Sequence, residues 1–240
     1  MTAPLLLAAH GTRDPAGPRV LDRIAAAVAE RAGVAVHVAY VDVIGPTLAD
    51  ALRELDGPVV AVPAFLAAGY HVRTDLPAQL AAAGRSGDVT TTAPLGPAPE
   101  LAAAMLDRLT AAGWHPAAEV VFAAAGSSDP RALADVRAAA RLLGLRCGRA
   151  LRPSYVSTAT PLTAQVCAAP SAADQIIAPY LLAPGLFHRK LSGLPVRAVA
   201  EPIGAHPGVV DLVVRRYREG LADSFTARFS SAAARKSHSR

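Results

Sequence analysis

Short apolar runs alternate along the chain with stretches in which apolar residues return at helical spacing. LLLAA (5–9) has no polar position and predicts a buried strand. In RVLDRIAAAVAERAG (19–33), Val20, Ile24 and Val28 recur every four residues, and Gly33 ends the predicted helix. VAVHVAYV (34–41) is a second strand, PTLADALREL (46–55) a helix opened by proline, and PVVAVPAFL (58–66) a third strand. TDLPAQLAAA (74–83), DVTTTAPL (88–95) and PELAAAMLDRLTAAG (99–113) add a short helix, a fourth strand and a long helix. Continuous apolar strands separated by helices predict a parallel sheet covered on both faces.

The pattern then restarts. EVVFAAA (119–125), ALRPSYVS (150–157), DQIIAPYLL (174–182) and VRAVAEPI (196–203) predict four more strands, with helices at 130–144, 161–169 and 207–221. Three landmarks recur in order. AAHGTRDP (8–15) matches AAAGSSDP (123–130), VPAFLAAGYH (62–71) matches APYLLAPGLF (178–187), and APLGPAP (93–99) matches EPIGAHP (201–207). The chain therefore reads as an α/β tandem duplication: two flavodoxin-like lobes, each with a parallel four-stranded sheet flanked by helices. The first lobe is expected at 1–114, the second at 115–224, and a basic, disordered tail at 225–240.

Composition narrows the partners. The net charge of +5 comes largely from RFSSAAARKSHSR (228–240), which holds four basic residues and no acid; residues 1–227 carry 20 basic against 19 acidic. No aromatic residues interleave with a basic run, which speaks against a nucleic-acid partner. Cys147 and Cys167 stand alone, with no CxxC and no framework for a disulfide or structural zinc site. No apolar run reaches membrane-spanning length, and LLLAAHG (5–11) lacks the basic lead and length of a signal peptide. A cytosolic protein with no membrane partner is the expectation.

The chemistry gathers in the first lobe. In an open α/β sheet of strand order 2-1-3-4, ligands bind beyond the carboxyl ends of strands 1 and 3. His10 leaves the end of the first strand, and His71 lies in the loop after the third, so both are predicted at one crevice. Two neutral imidazoles can ligate a divalent transition metal or accept protons near neutral pH, but they are too few for a closed zinc site. An open site completed by substrate follows. Arg13 and Arg73, beside the two histidines, are placed to hold substrate carboxylates. The flanking Gly11, Thr12, Gly69 and Tyr70 are expected to line the same binding surface. Asp14 and Asp129, each before a proline, read as helix caps. The second lobe has Ala125 and Phe187 where the first has His10 and His71, so it is expected to supply a wall without the metal chemistry. His37 lies within a strand, His115 in the linker and His238 in the tail. His188 and His206 sit in second-lobe loops.

AAHGTRDP, VPAFLAAGYHVRTDLP (62–77) and APLGP (93–97) together resemble the CbiX-type sirohydrochlorin chelatases, class II tetrapyrrole metal chelatases, over about residues 1–225. The resemblance implies a macrocycle cleft between two lobes, with His10 and His71 at the metal-handling positions. It implies insertion of Fe²⁺ or Co²⁺, with Ni²⁺ as a third candidate, as a substrate rather than a resident cofactor, on the way to siroheme or cobalamin. In relatives the loop after the second strand commonly carries two acids; here Asp42 fills the first place and Gly45 the second. That departure keeps a non-catalytic tetrapyrrole or metal carrier as the alternative. A histidine phosphatase is disfavoured, because Ala9 rather than arginine precedes His10. With both lobes in one chain, the expectation is a monomer that is an internal pseudo-dimer.

Overall fold

The computed structural model describes residues 3–168 and 174–237. The first sheet has β1 (Leu5–Ala9), β2 (Val36–Tyr40), β3 (Val59–Pro63) and β4 (Val89–Thr91) in the order β2-β1-β3-β4. The second has β5 (Glu119–Ala124), β6 (Pro153–Tyr155), β7 (Gln175–Tyr180) and β8 (Ala198–Val199) in the order β6-β5-β7-β8. All six pairings are parallel, and the predicted duplication and strand order are both present. The central strands β1, β3 and β7 are buried at every position, as continuous apolar runs require. β4 stops earlier than its apolar run: Thr92, Leu95 and Gly96 still donate to β3 and the loop beyond it, but Pro94 and Pro97 have no N–H to continue a ladder.

Local signals set the helices. α1 (Ala16–Ala32) buries Val20, Leu21, Ile24 and Val28 on one face and ends at Gly33 with φ +67°. A reciprocal capping box between Thr47 and Asp50 opens α2 (Leu48–Arg53). A π-helical turn at His71–Asp75 leads into α3 (Leu76–Ala82). In the second lobe, Asp129 caps α5 (Pro130–Cys147) by accepting the Arg131 N–H, and Gly148 closes it. α6 (Thr163–Val166) and α7 (Leu186–Ser192) are short.

The two remaining helices cross between lobes. α4 (Pro99–Ala111), the last helix of the first lobe, packs on β7 and α5 of the second. α8 (Pro207–Ser237), the last helix of the chain, packs on α1, β3 and β4 of the first lobe as well as on α4. One apolar cluster therefore runs through both lobes, from Leu5, Leu7 and Ile24 to Phe122, Ile176, Val213 and Tyr217. Each lobe keeps a smaller core on its outer face, around Leu6, Leu48 and Leu76 in the first and Val121, Ile177 and Leu191 in the second. Polar contacts fix the crossing. Arg215 bonds Glu100 at 2.9 Å, His206 Nε2 lies 3.0 Å from Asp107 Oδ2, and the Tyr217 hydroxyl donates to the Ala3 carbonyl. α8 continues past position 224 into the segment read as a basic tail, whose last three residues lie outside the described ones. Among the described residues, no helix is long and apolar enough to cross a membrane.

Gly220 measures how closely α8 is seated. A Cβ there would stand 2.6 Å from Val60 Cγ1 and 2.8 Å from Thr92 Cγ2, both stiff β-branched side chains. Gly→Ala inside a free helix stabilises by roughly 1 kcal/mol. Here overpacking opposes that gain, and Gly220→Ala is expected to destabilise by about 1–2 kcal/mol in urea unfolding. A stabilised variant would show that α8 does not rest on the first sheet.

Candidate functional site

The AAxGxxDP frame builds the same turn in both lobes. Gly11 has φ +93°, and a Cβ on it would come 2.3 Å from the Asp42 carbonyl oxygen. Gly126 has φ +105°, with its hypothetical Cβ 1.8 Å from the Ser157 carbonyl. Glycine is required at both for the same reason: the turn presses against the loop after the neighbouring strand. The next residue's hydroxyl, Thr12 or Ser127, accepts the N–H of the aspartate two places on. The Asp14 and Asp129 carboxylates then accept the Ala16 and Arg131 N–H groups at 3.0 and 2.8 Å. Both aspartates act as the sequence suggests, as local caps.

Two loops of the first lobe bring the histidines together. His10 follows β1 directly, and His71 begins the π-helical turn after β3; the ring centroids are 4.4 Å apart. Phe65 stacks against His71 at 6.3 Å, and the exposed Tyr70 ring meets it edge-on at 6.1 Å. His71 Nδ1 lies 2.6 Å from Asp75 Oδ2. A carboxylate can only accept, so this contact puts a proton on Nδ1, and in the neutral ring the lone pair is then on Nε2. Asp75 has no role in the sequence reading, yet the four-residue spacing from His71, inside a helical turn, was a signal for it.

Electrostatics keep the other imidazole neutral. Desolvation lowers the His10 pKa below 6.5 first, and the adjacent His71 lowers it further, against an upward pull from the Asp42 carboxylate. Asp42 remains exposed; its Oδ1 accepts the Val43 N–H at 2.7 Å. Val43, and Thr158 at the equivalent place in the second lobe, have φ +72° and +63°, a strained conformation for β-branched residues. Among the described residues, no three His, Cys, Asp or Glu side chains converge on a metal position. The pair is an open donor set, which a metal could complete only with ligands from water or substrate.

His10 faces a cleft of about 760 Å³ between the lobes. One wall is His10–Asp14 with Asp42 and Val43; the other is the second-lobe segment Leu181–Arg189. His71 adjoins this cleft through its ring contact with His10 rather than lining it. Of the residues expected to bind substrate, Gly11, Thr12 and Arg13 line the cleft. Gly69 instead packs toward Ala132 and Ser127 of the second lobe, while exposed Arg73 donates to the Ala68 carbonyl at 2.7 Å. The structure thus separates Arg13 from Arg73, at two different contacts across the seam. The segment 181–189 stands where the second lobe is expected to supply a wall, and the repeat aligns it with the His71 loop. His188 lies on that wall, with Nε2 3.2 Å from the Ala200 carbonyl it must donate to. His206 is spent on Asp107 and on the Gly208 N–H, at the α4–α8 contact. His37 lines a separate concavity of about 710 Å³ between α1 and α2.

Comparison with known proteins gives a consistent pattern. The CbiX family model matches residues 4–112 and again 119–220. A sirohydrochlorin cobaltochelatase of Methanothermobacter thermautotrophicus is 29% identical over 130 residues, 45% of this chain and 91% of that protein. Another, from Methanococcoides burtonii, is 33% identical over 78 residues, 30% of this chain; the match spans 60% of that relative's length. Among solved structures, SirB from Bacillus subtilis with Fe³⁺ superposes with a TM-score of 0.79 at 23% identity, covering 94% of this chain and 98% of that one. The structure of a CbiX described as the terminal enzyme of siroheme biosynthesis in denitrifying bacteria gives 0.68 at 25% identity, covering 90% and 98%.

The sign of the His10 shift makes a prediction for the metal-free protein. The unfolded chain binds the proton near pH 6.5, and the folded chain only at lower pH. Stability is therefore lost as pH falls through about 6.5 toward the folded value. Urea midpoints measured from pH 7.5 to 5.5 should fall more steeply for wild type than for His10→Gln. Equal slopes would refute the lowered pKa.

Proposed function

The chain belongs to the CbiX family, and from that premise we propose that it is a sirohydrochlorin chelatase, inserting Fe²⁺ or Co²⁺ into the macrocycle. The observation that carries the proposal is the pair of imidazoles 4.4 Å apart at the edge of a cleft between two lobes. Insertion exchanges one divalent cation for two pyrrole protons, with no change of oxidation state. The site has to hold a cation briefly and then provide somewhere for protons to go.

His10 and His71 meet both needs. His71 offers Nε2, because Asp75 fixes the proton on Nδ1. His10, held neutral at physiological pH, offers a lone pair beside it. Two neutral nitrogen donors bind a cation without trapping it, so that the four macrocycle nitrogens can take it over. Once the ion leaves, the same imidazoles are free to accept pyrrole protons, with Asp42 and Asp75 in support. Exposed apolar side chains lining the cleft, Val43 and Leu186, suit the faces of a planar ring. Arg13 supplies positive charge for its carboxylates. The second lobe, with Ala125 and Phe187 in the two histidine places, closes the binding space without a metal position of its own. A cytosolic monomer is part of this reading.

Steady-state insertion of Fe²⁺, Co²⁺ and Ni²⁺, followed by the absorbance of the metallated product, tests the function and ranks the metals. A chain that binds sirohydrochlorin and metal without turnover is the carrier instead. His10→Ala and His71→Ala should each lower insertion by about 10²-fold, the range of a positioned acid–base group. Macrocycle binding should change little. The double variant should be little worse than either single, since the pair acts as a unit. His206→Ala should spare insertion. Loss of insertion in His188→Ala with His10→Ala intact would move the chemistry to the second lobe.

A further inference from the structure

The repeat preserves an acid and a base that face each other across the lobes. Asp14 and Asp129 are equivalent in the turn after the first strand of each lobe, and Arg73 and Arg189 are equivalent in the loop after the third. Position 71 diverged to Phe187 in the second lobe, yet the arginine two residues later stands in both. The turn of each lobe lies against the third-strand loop of the other. Pro184 and Gly185 sit beside Thr12 and Gly17 at one contact, and Gly69 sits beside Ser127 at the other.

The two contacts differ. At the cleft, the Arg189 guanidinium reaches across and bonds Asp14 Oδ2. At the far contact Arg73 hydrogen-bonds its own Ala68 carbonyl and acts on Asp129 only through its charge, while Asp129 pairs directly with its neighbour Arg131. The cross-lobe ion pair takes up Asp14 Oδ2, while Oδ1 holds the local turn by accepting the Ala16 N–H. It does not bury Arg189: the arginine side chain is 62% exposed and the aspartate 14%. Arg189 thus keeps guanidinium N–H groups open to the cleft, beside the exposed Leu186 and opposite Arg13.

We infer that Arg189 is a carboxylate-binding residue of the second-lobe wall, and that Asp14 is its intramolecular stand-in anion, displaced when a macrocycle carboxylate takes the guanidinium. The assignment rests on the cleft being a tetrapyrrole site, and sirohydrochlorin carries acetate and propionate arms around its ring. A planar fork suits bidentate capture of such an arm, and the exposed guanidinium can exchange one carboxylate partner for another. With Arg13 on the first-lobe wall, the ring would be gripped by one cation from each lobe. This second cation also gives the wall without histidines a binding function.

The exchange has a sign that a structural clasp lacks. Asp14→Asn keeps the cap, since asparagine caps as well as aspartate, but removes the competing charge. Fluorescence titration of sirohydrochlorin should show Asp14→Asn binding about threefold or more tighter than wild type, and Arg189→Ala about tenfold weaker, the scale of a charge-assisted bond in partial solvent. Arg189→Lys should fall between. In Asp14→Asn/Arg189→Ala the gain should vanish, because the competitor matters only when the arginine is present. Co²⁺ binding without macrocycle should be unchanged in all four. Uroporphyrin, another carboxylate-bearing macrocycle, is titrated in parallel and requires no turnover, so an absence of chelatase activity and a failure of the Arg189 assignment are read separately. If Asp14→Asn weakens binding of both macrocycles as Arg189→Ala does, the pair is only a clasp. If neither variant changes binding of either macrocycle, Arg189 is not a ligand; either result overturns the inference.

Discussion

The exchange of terminal helices holds everything else in place. A four-stranded parallel sheet needs cover on both faces, and neither lobe covers its inner face alone. α4 leaves the first lobe to pack on β7, and α8 returns from the second to pack on β3 and β4. Separating the lobes would expose one continuous apolar cluster. The cleft therefore has two walls fixed by a common core, and its width is not set by a hinge. Tyr180 adds a specific tie: its buried hydroxyl donates to the Leu66 carbonyl across the seam at 2.7 Å, and burial pushes its pKa up. Gly96 makes room for it, since a Cβ there would meet the Tyr180 hydroxyl at 2.3 Å.

Duplication followed by divergence explains which residues repeat and which do not. The repeated ones hold backbone: Gly11 with Gly126, Asp14 with Asp129, and the strained Val43 with Thr158. The divergent ones face the cleft or seam, where His10 and His71 answer to Ala125 and Phe187, and Ala64 to Tyr180. A planar ligand between two lobes has two faces, and a single cation enters it once. On the proposed function one lobe is enough to deliver the ion, which would free the other to bind the ring.

In the proposed reaction the site's donors suit passage rather than storage, since a cation held by two imidazoles would keep coordination positions for the incoming macrocycle. Carboxylates stand one step back: Asp75 on the far nitrogen of His71, and Asp42 exposed near His10. Gly45 offers no second acid in the loop after β2, and the proposed reaction therefore assigns proton acceptance to the imidazoles.

The sequence by itself determined the lobes, the strand order and the meeting of His10 with His71. Those depend on period, on turn chemistry and on the rule that strand ends gather at one sheet edge, and all of these are local or topological. It also marked the aspartate caps, because a capping carboxylate acts within two residues of itself. Tertiary structure alone decided the rest. Which lobe α4 and α8 cover is invisible in an amphipathic pattern, since an apolar face records that it is buried and not against what. Arg13 and Arg73 looked alike beside their histidines, yet one faces the cleft and the other the far contact. Arg189 became visible only when the loop after β7 was brought against the turn after β1, 175 positions away in sequence. Long side chains with several donors take their meaning from what stands opposite them, and that is settled by the packing of two lobes.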